Sequence, residues 1–128
     1  MIKIILPFPV SNNSLYGGRG GRQRFPSKYL KAWWKACQPL SPINMDRVAL
    51  FYKIYFPDNR ERDTQNYIKC VTDYLVSQGV IVNDSWKNII YEGLIPCGVD
   101  KNNPRCEIIV VKEDKFLLEW SCPFADVT

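Results

Sequence analysis

A long apolar segment followed at once by charged residues constrains this fold more than any other feature of the sequence. Residues 48–56 read VALFYKIYF, a β-branched and aromatic run with Lys53 as its single charge. This composition predicts a central or nearly central strand, which Pro57 ends. The charged residues that follow emerge where the strand leaves the sheet. The sequence therefore predicts polar side chains gathered at one end of a buried strand.

An amphipathic helix is predicted next, over residues 63–78. At helical spacing its apolar stripe contains Tyr67, Ile68, Val71, Tyr74 and Leu75, and its opposite side contains Asn66, Lys69 and Asp73. Asp63 stands at the predicted start, where a carboxylate can cap free N–H groups. Gly79 is placed to end the helix, and residues 80–82 form a short extended piece that leads into Asp84. Four polar residues of this region form a candidate site: Asp63, Gln65, Lys69 and Asp84.

The other predicted elements complete a single α/β (α+β) domain over residues 1–128. We expect a first strand at 2–8, a helix capped by Ser27 and running to Gln38, and strands at 89–97 and 106–112. Turn-forming residues at 100–104 predict that the last two strands form a hairpin. The expected fold has a mixed sheet of about four to five strands and two main helices. Residues 17–24 form a flexible basic loop, and 114–128 form an apolar C-terminal extension that needs cover from the domain or from a second subunit.

Composition narrows the class of protein. At 128 residues the chain is one domain by size, and it has no apolar run of bilayer length and no signal peptide, so we expect a cytoplasmic protein without a membrane partner. Its five cysteines are scattered and form no C-x-x-C pair. We therefore expect reduced, mostly buried thiols rather than a zinc site or disulfides.

The sequence contains no histidine, which limits its possible chemistry. Ser-His-Asp and Cys-His catalysis are excluded, and no imidazole can act as a general base. Hydrolysis would have to rely on carboxylates, lysine or a metal ion held by oxygen ligands. By spacing alone, the favoured interpretation is structural: a cap at Asp63, a solvated lysine at Lys69 and a turn residue at Asp84.

Charge is divided unevenly along the chain. Residues 1–45 carry seven basic residues and no acid, and the remaining residues carry ten basic and thirteen acidic residues. The two parts therefore have net charges of +7 and −3. The basic part can follow a phosphate backbone or can form a solvated face. Its Gly/Arg loop at 17–24 lacks the G-K-[ST] of a P-loop.

Several short motifs in order resemble the RusA family of Holliday junction resolvases, which are phage- and prophage-type endodeoxyribonucleases. The resemblance covers about residues 4–111. It rests on LPFPVSNNSLY at 6–16, RDTQNYIK at 62–69, Asp73, GVIVNDS at 79–85 and PRCEIIV at 104–110. It implies a homodimer in the bacterial cytoplasm or nucleoid that binds a four-way DNA junction. Each subunit would cut one strand with Mg²⁺ or Mn²⁺.

The resemblance also implies roles for particular residues. Asp63, Lys69 and Asp84 match the catalytic positions of the family motif, with the two aspartates as metal ligands. Gln65 occupies the place of a further metal-binding aspartate, so it could ligate the metal but brings no charge, unless another acid such as Asp58, Glu61 or Asp73 compensates. The residues expected at the DNA are Asn12, Asn13, Arg19, Arg22, Arg24, Lys28, Lys31 and Lys35.

Three hypotheses follow. The first is a RusA-like structure-selective endonuclease, weakened by the glutamine at position 65. The second is a junction- or branched-DNA-binding protein that has lost catalysis through the same substitution. The third is a basic nucleic-acid-binding module without a metal site.

Overall fold

A four-stranded mixed sheet forms the centre of the computed structural model, which describes residues 1–18 and 24–120. In chain order the strands are β1 (Ile2–Pro7), β2 (Tyr16–Gly17), β3 (Phe25–Pro26), β4 (Val48–Phe56), β5 (Ile89–Val99) and β6 (Arg105–Lys112). The main sheet has the order β1-β6-β4-β5, and β2 and β3 pair separately. β4 pairs with β5 in parallel and with β6 antiparallel, so the sheet is mixed as predicted.

Three α-helices accompany the sheet: α1 (Lys28–Ala36), α2 (Lys69–Ser77) and α3 (Glu113–Trp120). The predicted α+β class is confirmed. The Ser27 hydroxyl accepts from the Leu30 N–H at 3.1 Å, so the predicted cap of α1 is also confirmed. Among the described residues, no helix has the length and apolar character needed to cross a membrane.

The predicted helix over 63–78 is divided into two pieces. A 3₁₀ helix, Thr64–Tyr67, comes first, and α2 begins after Ile68. Tyr67 is buried and packs against Phe8 and Phe56, with ring centroids 5.3 and 6.3 Å away. These contacts hold the 3₁₀ segment against the end of β4, while α2 turns its apolar face to the core.

The prediction of a β5–β6 hairpin is wrong, because β4 lies between the two strands. The turn after β5 passes around the end of β4, where the Asp100 N–H donates to the Phe56 carbonyl at 2.8 Å. β4 is the most deeply buried strand, with Val48, Leu50 and Ile54 fully buried. Its central place in the sheet is therefore set by burial of its apolar side chains. Turn-forming residues between β5 and β6 do not predict this strand order.

The aromatic residues of the helices divide between core and surface. Trp33 of α1 is buried, whereas Trp34 is exposed. Phe116 of α3 stacks on Tyr91 at 5.5 Å and packs near Phe51, so the domain itself covers this part of the C-terminal extension. The rest of the extension, residues 121–128, lies outside the described residues.

The thiols match the expectation of reduced, mostly buried cysteines. Cys37, Cys70 and Cys106 are buried, Cys97 is partly buried, and all four are free. Burial raises the pKa of Cys37 and of Cys70 to about 12, so both thiols stay protonated at neutral pH. Cys122 lies outside the described residues.

Candidate functional site

A polar cleft of about 430 Å³ opens beside the start of α2. It brings together three of the four residues that the sequence singled out, namely Gln65, Lys69 and Asp84. The residues lining it are Asn12, Gln65, Ile68, Lys69, Thr72, Asp73, Asp84 and Glu92. Segments far apart in sequence therefore supply carboxylate, amide and hydroxyl oxygens to one space.

Gln65 is held in place by hydrogen bonds to both its backbone N–H and its backbone carbonyl. The Asp63 side chain accepts from the Gln65 N–H at 3.1 Å, and the Asn12 side-chain amide donates to the Gln65 carbonyl at 3.3 Å. The second contact ties the turn Asn12–Ser14 to the 3₁₀ helix. The position of Gln65 at the cleft is thus set by two polar contacts and leaves its side-chain amide available.

Asp63 occupies the cap of the 3₁₀ helix and does not line the cleft. Its Oδ1 atom is used in the cap, and the residue is exposed. The predicted capping role is therefore present, although the capped helix is the 3₁₀ segment rather than α2. Asp63 adds negative charge next to the cleft.

Asp84 reaches the cleft from the turn before β5. The preceding residues are fixed by a parallel bridge between Met45 and Ile81 and by a 3.0 Å bond from the Val82 N–H to the Met45 carbonyl. The Asp84 N–H donates to the Asn83 side chain at 2.9 Å. This local turn leaves the exposed Asp84 carboxylate at the cleft edge.

Lys69 brings positive charge to an otherwise acidic cleft. Its ammonium lies 3.3 Å from the Asp73 carboxylate, one turn along α2. Both side chains are about half exposed, so water and salt screen this ion pair. A phosphate group that enters the cleft can therefore compete with Asp73 for Lys69 at small cost.

Glu92 is the cleft acid that sequence reasoning missed. The Thr72 hydroxyl donates to Glu92 Oε2 at 3.5 Å, and Thr72 in turn lies 2.6 Å from the buried Tyr52 hydroxyl. Partial loss of hydration raises the pKa of Glu92, and the nearby Asp84 carboxylate raises it further. A single acid in the otherwise uncharged strand IIYEGLIPCGV was the available signal.

The oxygen atoms that line the cleft are of the type that binds a hard divalent cation. Mg²⁺ and Mn²⁺ prefer carboxylate, carbonyl and water ligands, and the cleft offers carboxylates and amides. Asn12 Oδ1 is buried without a hydrogen-bond partner among the described residues, which leaves one acceptor unsatisfied. Within those same residues, no group of three His, Cys, Asp or Glu side chains is already gathered closely enough to hold a metal.

The candidate DNA-contacting residues lie along α1 and the turn beside it. Lys28, Lys31 and Lys35 are exposed, and the Ser27 N–H that precedes them donates to the Leu15 carbonyl at 2.9 Å. Arg24 lies over the Tyr16 ring at 4.9 Å. Asn13 is exposed next to Asn12 but does not line the cleft. Arg19 and Arg22 lie outside the described residues.

Fold and site together define a small mixed α+β protein with an oxygen-lined acidic cleft next to a basic helix. The family model described as Endodeoxyribonuclease RusA matches residues 7–111 of this chain. The chain belongs to the RusA endodeoxyribonuclease family, and membership supports the class of Holliday junction endodeoxyribonucleases. No curated protein matched the chain.

Proposed function

We propose that the protein is a metal-dependent, structure-selective endodeoxyribonuclease that resolves four-way DNA junctions as a homodimer. One observation carries the proposal: Gln65, Lys69 and Asp84, which occupy motif positions of the family, line one cleft. Family membership supports the nuclease class. The shared cleft supports the assignment of those residues to a single reaction centre.

In this proposal Asp63 and Asp84 hold Mg²⁺ or Mn²⁺, with Gln65 as a neutral ligand. Asp63 uses Oδ1 in its cap, so its second oxygen remains for the cation. A divalent cation bound there supplies Lewis acidity and neutralises charge at the scissile phosphate. Lys69 exchanges Asp73 for a phosphate oxygen and stabilises the charge that develops during cleavage.

The basic part of the chain binds the DNA backbone. Arg24 and the lysines of α1 provide charges beside the turn that carries Asn12 and Asn13. Arg19 and Arg22 extend this basic segment in sequence. Phosphate contacts of this kind position DNA without reading its sequence, which suits recognition of a junction by shape. Two subunits would present two clefts, one for each strand that is cut.

The test is cleavage of a synthetic four-way junction with Mn²⁺ or Mg²⁺, with a linear duplex of the same sequence as the substrate control. We expect the wild-type protein to nick the junction and to leave the duplex largely intact. Asp84→Asn should abolish nicking but retain junction binding, because it removes a metal-binding charge and leaves the basic helix unchanged. Absence of cleavage at every metal concentration would overturn the proposal of an active enzyme.

The second candidate, a junction-binding protein without catalysis, is favoured by Gln65 and by the absence of a gathered three-acid cluster among the described residues. It predicts binding without cutting in the wild type. Gln65→Asp should then restore cleavage, because it returns the missing charge to the motif position. If the wild type binds without cutting and Gln65→Asp also fails to cut, position 65 is not the cause of inactivity.

A further inference from the structure

β5 directs an acidic side chain into the cleft from the sheet. Side chains alternate between the two faces of a strand. Tyr91 stacks on Phe116, whereas the next residue, Glu92, points to the other face and meets Thr72 of α2. Glu92 therefore lines the cleft together with Asp84 although it lies outside the motif segments 62–69 and 79–85.

The hydroxyl groups of Tyr52 and Thr72 lie on the protein side of the Glu92 carboxylate. Tyr52 is fully buried, and its hydroxyl lies 2.6 Å from Thr72 Oγ1. When Tyr52 donates to Thr72, the Thr72 proton is free to reach Glu92 Oε2 at 3.5 Å or the Ile68 carbonyl at 3.3 Å. One carboxylate oxygen of Glu92 is thus contacted from the protein side, and the other remains for a ligand in the cleft.

The charges of the cleft favour a cation near Glu92. Asp73 is paired with Lys69 at 3.3 Å, whereas Asp84 and Glu92 line the same cleft with like charges that repel one another. Gln65, at the motif position for an acid, contributes none of this charge. A divalent ion between the two carboxylates would relieve the repulsion.

An independent observation also points to a cation. Asn12 lines the same cleft, and its Oδ1 atom is buried without a partner among the described residues. A buried acceptor of this kind costs free energy until a donor or a cation reaches it. Its neutral oxygen is a ligand type that Mg²⁺ and Mn²⁺ accept.

We propose that Glu92 supplies the metal-binding carboxylate that Gln65 lacks, so that the cation is held from β5 as well as from the motif. This inference rests on the proposed metal-dependent function. It assigns a compensating acid that differs from those nearest in sequence, Asp58 and Glu61. Asp58 is engaged by Arg60 and Arg62, and neither of these acids lines the cleft. Asp73, the third acid considered from the sequence, lines the cleft but is paired with Lys69.

The test is Mn²⁺ binding without DNA, measured by the electron paramagnetic resonance signal of free Mn²⁺ during titration with MnCl₂. We expect Glu92→Gln to raise the Kd for Mn²⁺ about tenfold or more. Glu61→Gln removes an exposed carboxylate outside the cleft and should leave the Kd unchanged. In the Glu92→Gln background, Gln65→Asp should recover most of the lost affinity, because it restores a carboxylate at the motif position.

Folding is checked by the thermal unfolding midpoint in EDTA. Glu92→Gln should not lower this midpoint, because it removes repulsion with Asp84, and Glu92→Asp serves as a second variant that retains the charge. Equal Mn²⁺ affinity in the wild type and folded Glu92→Gln would overturn the inference alone. A wild type that binds no Mn²⁺ would overturn the proposed metal dependence as well, so the two failures are distinguishable.

Discussion

Single residues set the charge of this cleft. Position 65 carries an amide, so it can offer a lone pair to a cation without any net charge. The negative charge must come from Asp84, from Asp63 beside the cleft and, in our proposal, from Glu92. The effect of the glutamine therefore depends on acids contributed by other elements.

Glu107 shows how a buried acid is stabilised elsewhere in the same sheet. Its side chain is 8% exposed and lies 2.8 Å from Arg105, 3.2 Å from Lys3 and 4.0 Å from Lys53. The hydrogen bond from Arg105 is the largest cause of the lowered pKa of Glu107, and Lys3 lowers it further. This network is structural, because its cations satisfy the carboxylate, and Glu107 does not line the cleft that contains Gln65 and Asp84.

Glu107→Gln should lower the free energy of unfolding by about 1–2 kcal/mol at pH 7, because it leaves charged partners unsatisfied. The depressed pKa of Glu107 in the folded state means that its stabilisation is present above the usual value of 4.5. That stabilisation is lost as pH falls through the lower folded value. Urea unfolding followed by circular dichroism between pH 7 and pH 2.5 checks this expectation.

The difference between wild type and Glu107→Gln should therefore shrink in acid. Glu61→Gln, at an exposed position, should show almost no difference at any pH. A difference that stays constant across this range would contradict the role assigned to ionised Glu107.

At the scale of elements, the segment between β4 and α2 contains both the cap of the 3₁₀ helix and a residue that lines the cleft. Asp63 caps the 3₁₀ helix, and Tyr67 of that helix packs on the aromatic rings at the end of β4. Arg62 is largely buried over Phe8 and Phe56 and also pairs with Asp58 at 2.8 Å. These contacts position Gln65 at the cleft before any metal or DNA is bound.

Asp63→Ala and Asp63→Asn should separate the cap from the charge. Asparagine retains an oxygen acceptor for the Gln65 N–H, so we expect its stability in EDTA to be close to that of the wild type. Alanine removes the acceptor and should cost about 1 kcal/mol. Both variants should lose part of the Mn²⁺-linked rise in the unfolding midpoint, since both remove the proposed metal-binding charge.

Differential scanning fluorimetry with and without MnCl₂ measures both effects in one experiment. Full Mn²⁺-linked stabilisation in Asp63→Asn would assign Asp63 to the cap alone.

At the scale of the whole molecule, charge is separated between a basic helix and an acidic cleft. α1 exposes Lys28, Lys31 and Lys35, and the hydrogen bond from Ser27 to Leu15 places its start beside the turn that contains Asn12 of the cleft. Under the proposed function, this arrangement would let the helix bind the DNA backbone while a cation reduces repulsion between the cleft and the scissile phosphate. Binding and chemistry should therefore respond to different substitutions.

Replacing the three α1 lysines by glutamine should weaken junction binding and reduce its dependence on salt. Each lost phosphate contact lowers the slope of log Kd against log salt by about 0.9, so we expect a decrease of about 2–3. Fluorescence anisotropy measures this slope between about 50 and 200 mM KCl. The Asp84→Asn background prevents cleavage during the measurement.

The matched control replaces the exposed residues Lys101, Lys112 and Lys115, which removes the same number of charges elsewhere. An equal loss of slope in both triple variants would indicate a general effect of net charge rather than binding along α1.

Much of the local structure could be predicted because its causes are close together in sequence. The β4 strand follows from its apolar composition. Ser27 caps α1 through a hydrogen bond to Leu30, only three residues along the chain. The division of the 63–78 helix was missed because Tyr67 is held by two distant aromatic side chains, Phe8 just after β1 and Phe56 of β4. Hydrophobic periodicity and helix propensity are properties of a single segment, so they do not predict contacts with residues distant in sequence.

The sequence alone was sufficient for the α+β class and the family, since these depend on local patterns and their order, and it singled out the motif residues as candidates. Tertiary structure alone placed β4 between β5 and β6 and brought Glu92 to the same cleft as Asp84 and Gln65. The reason is that burial of the most apolar strand selects the sheet order, and the sheet order then decides which side chains share a face. Local turn and helix preferences do not determine the order of strands in a sheet.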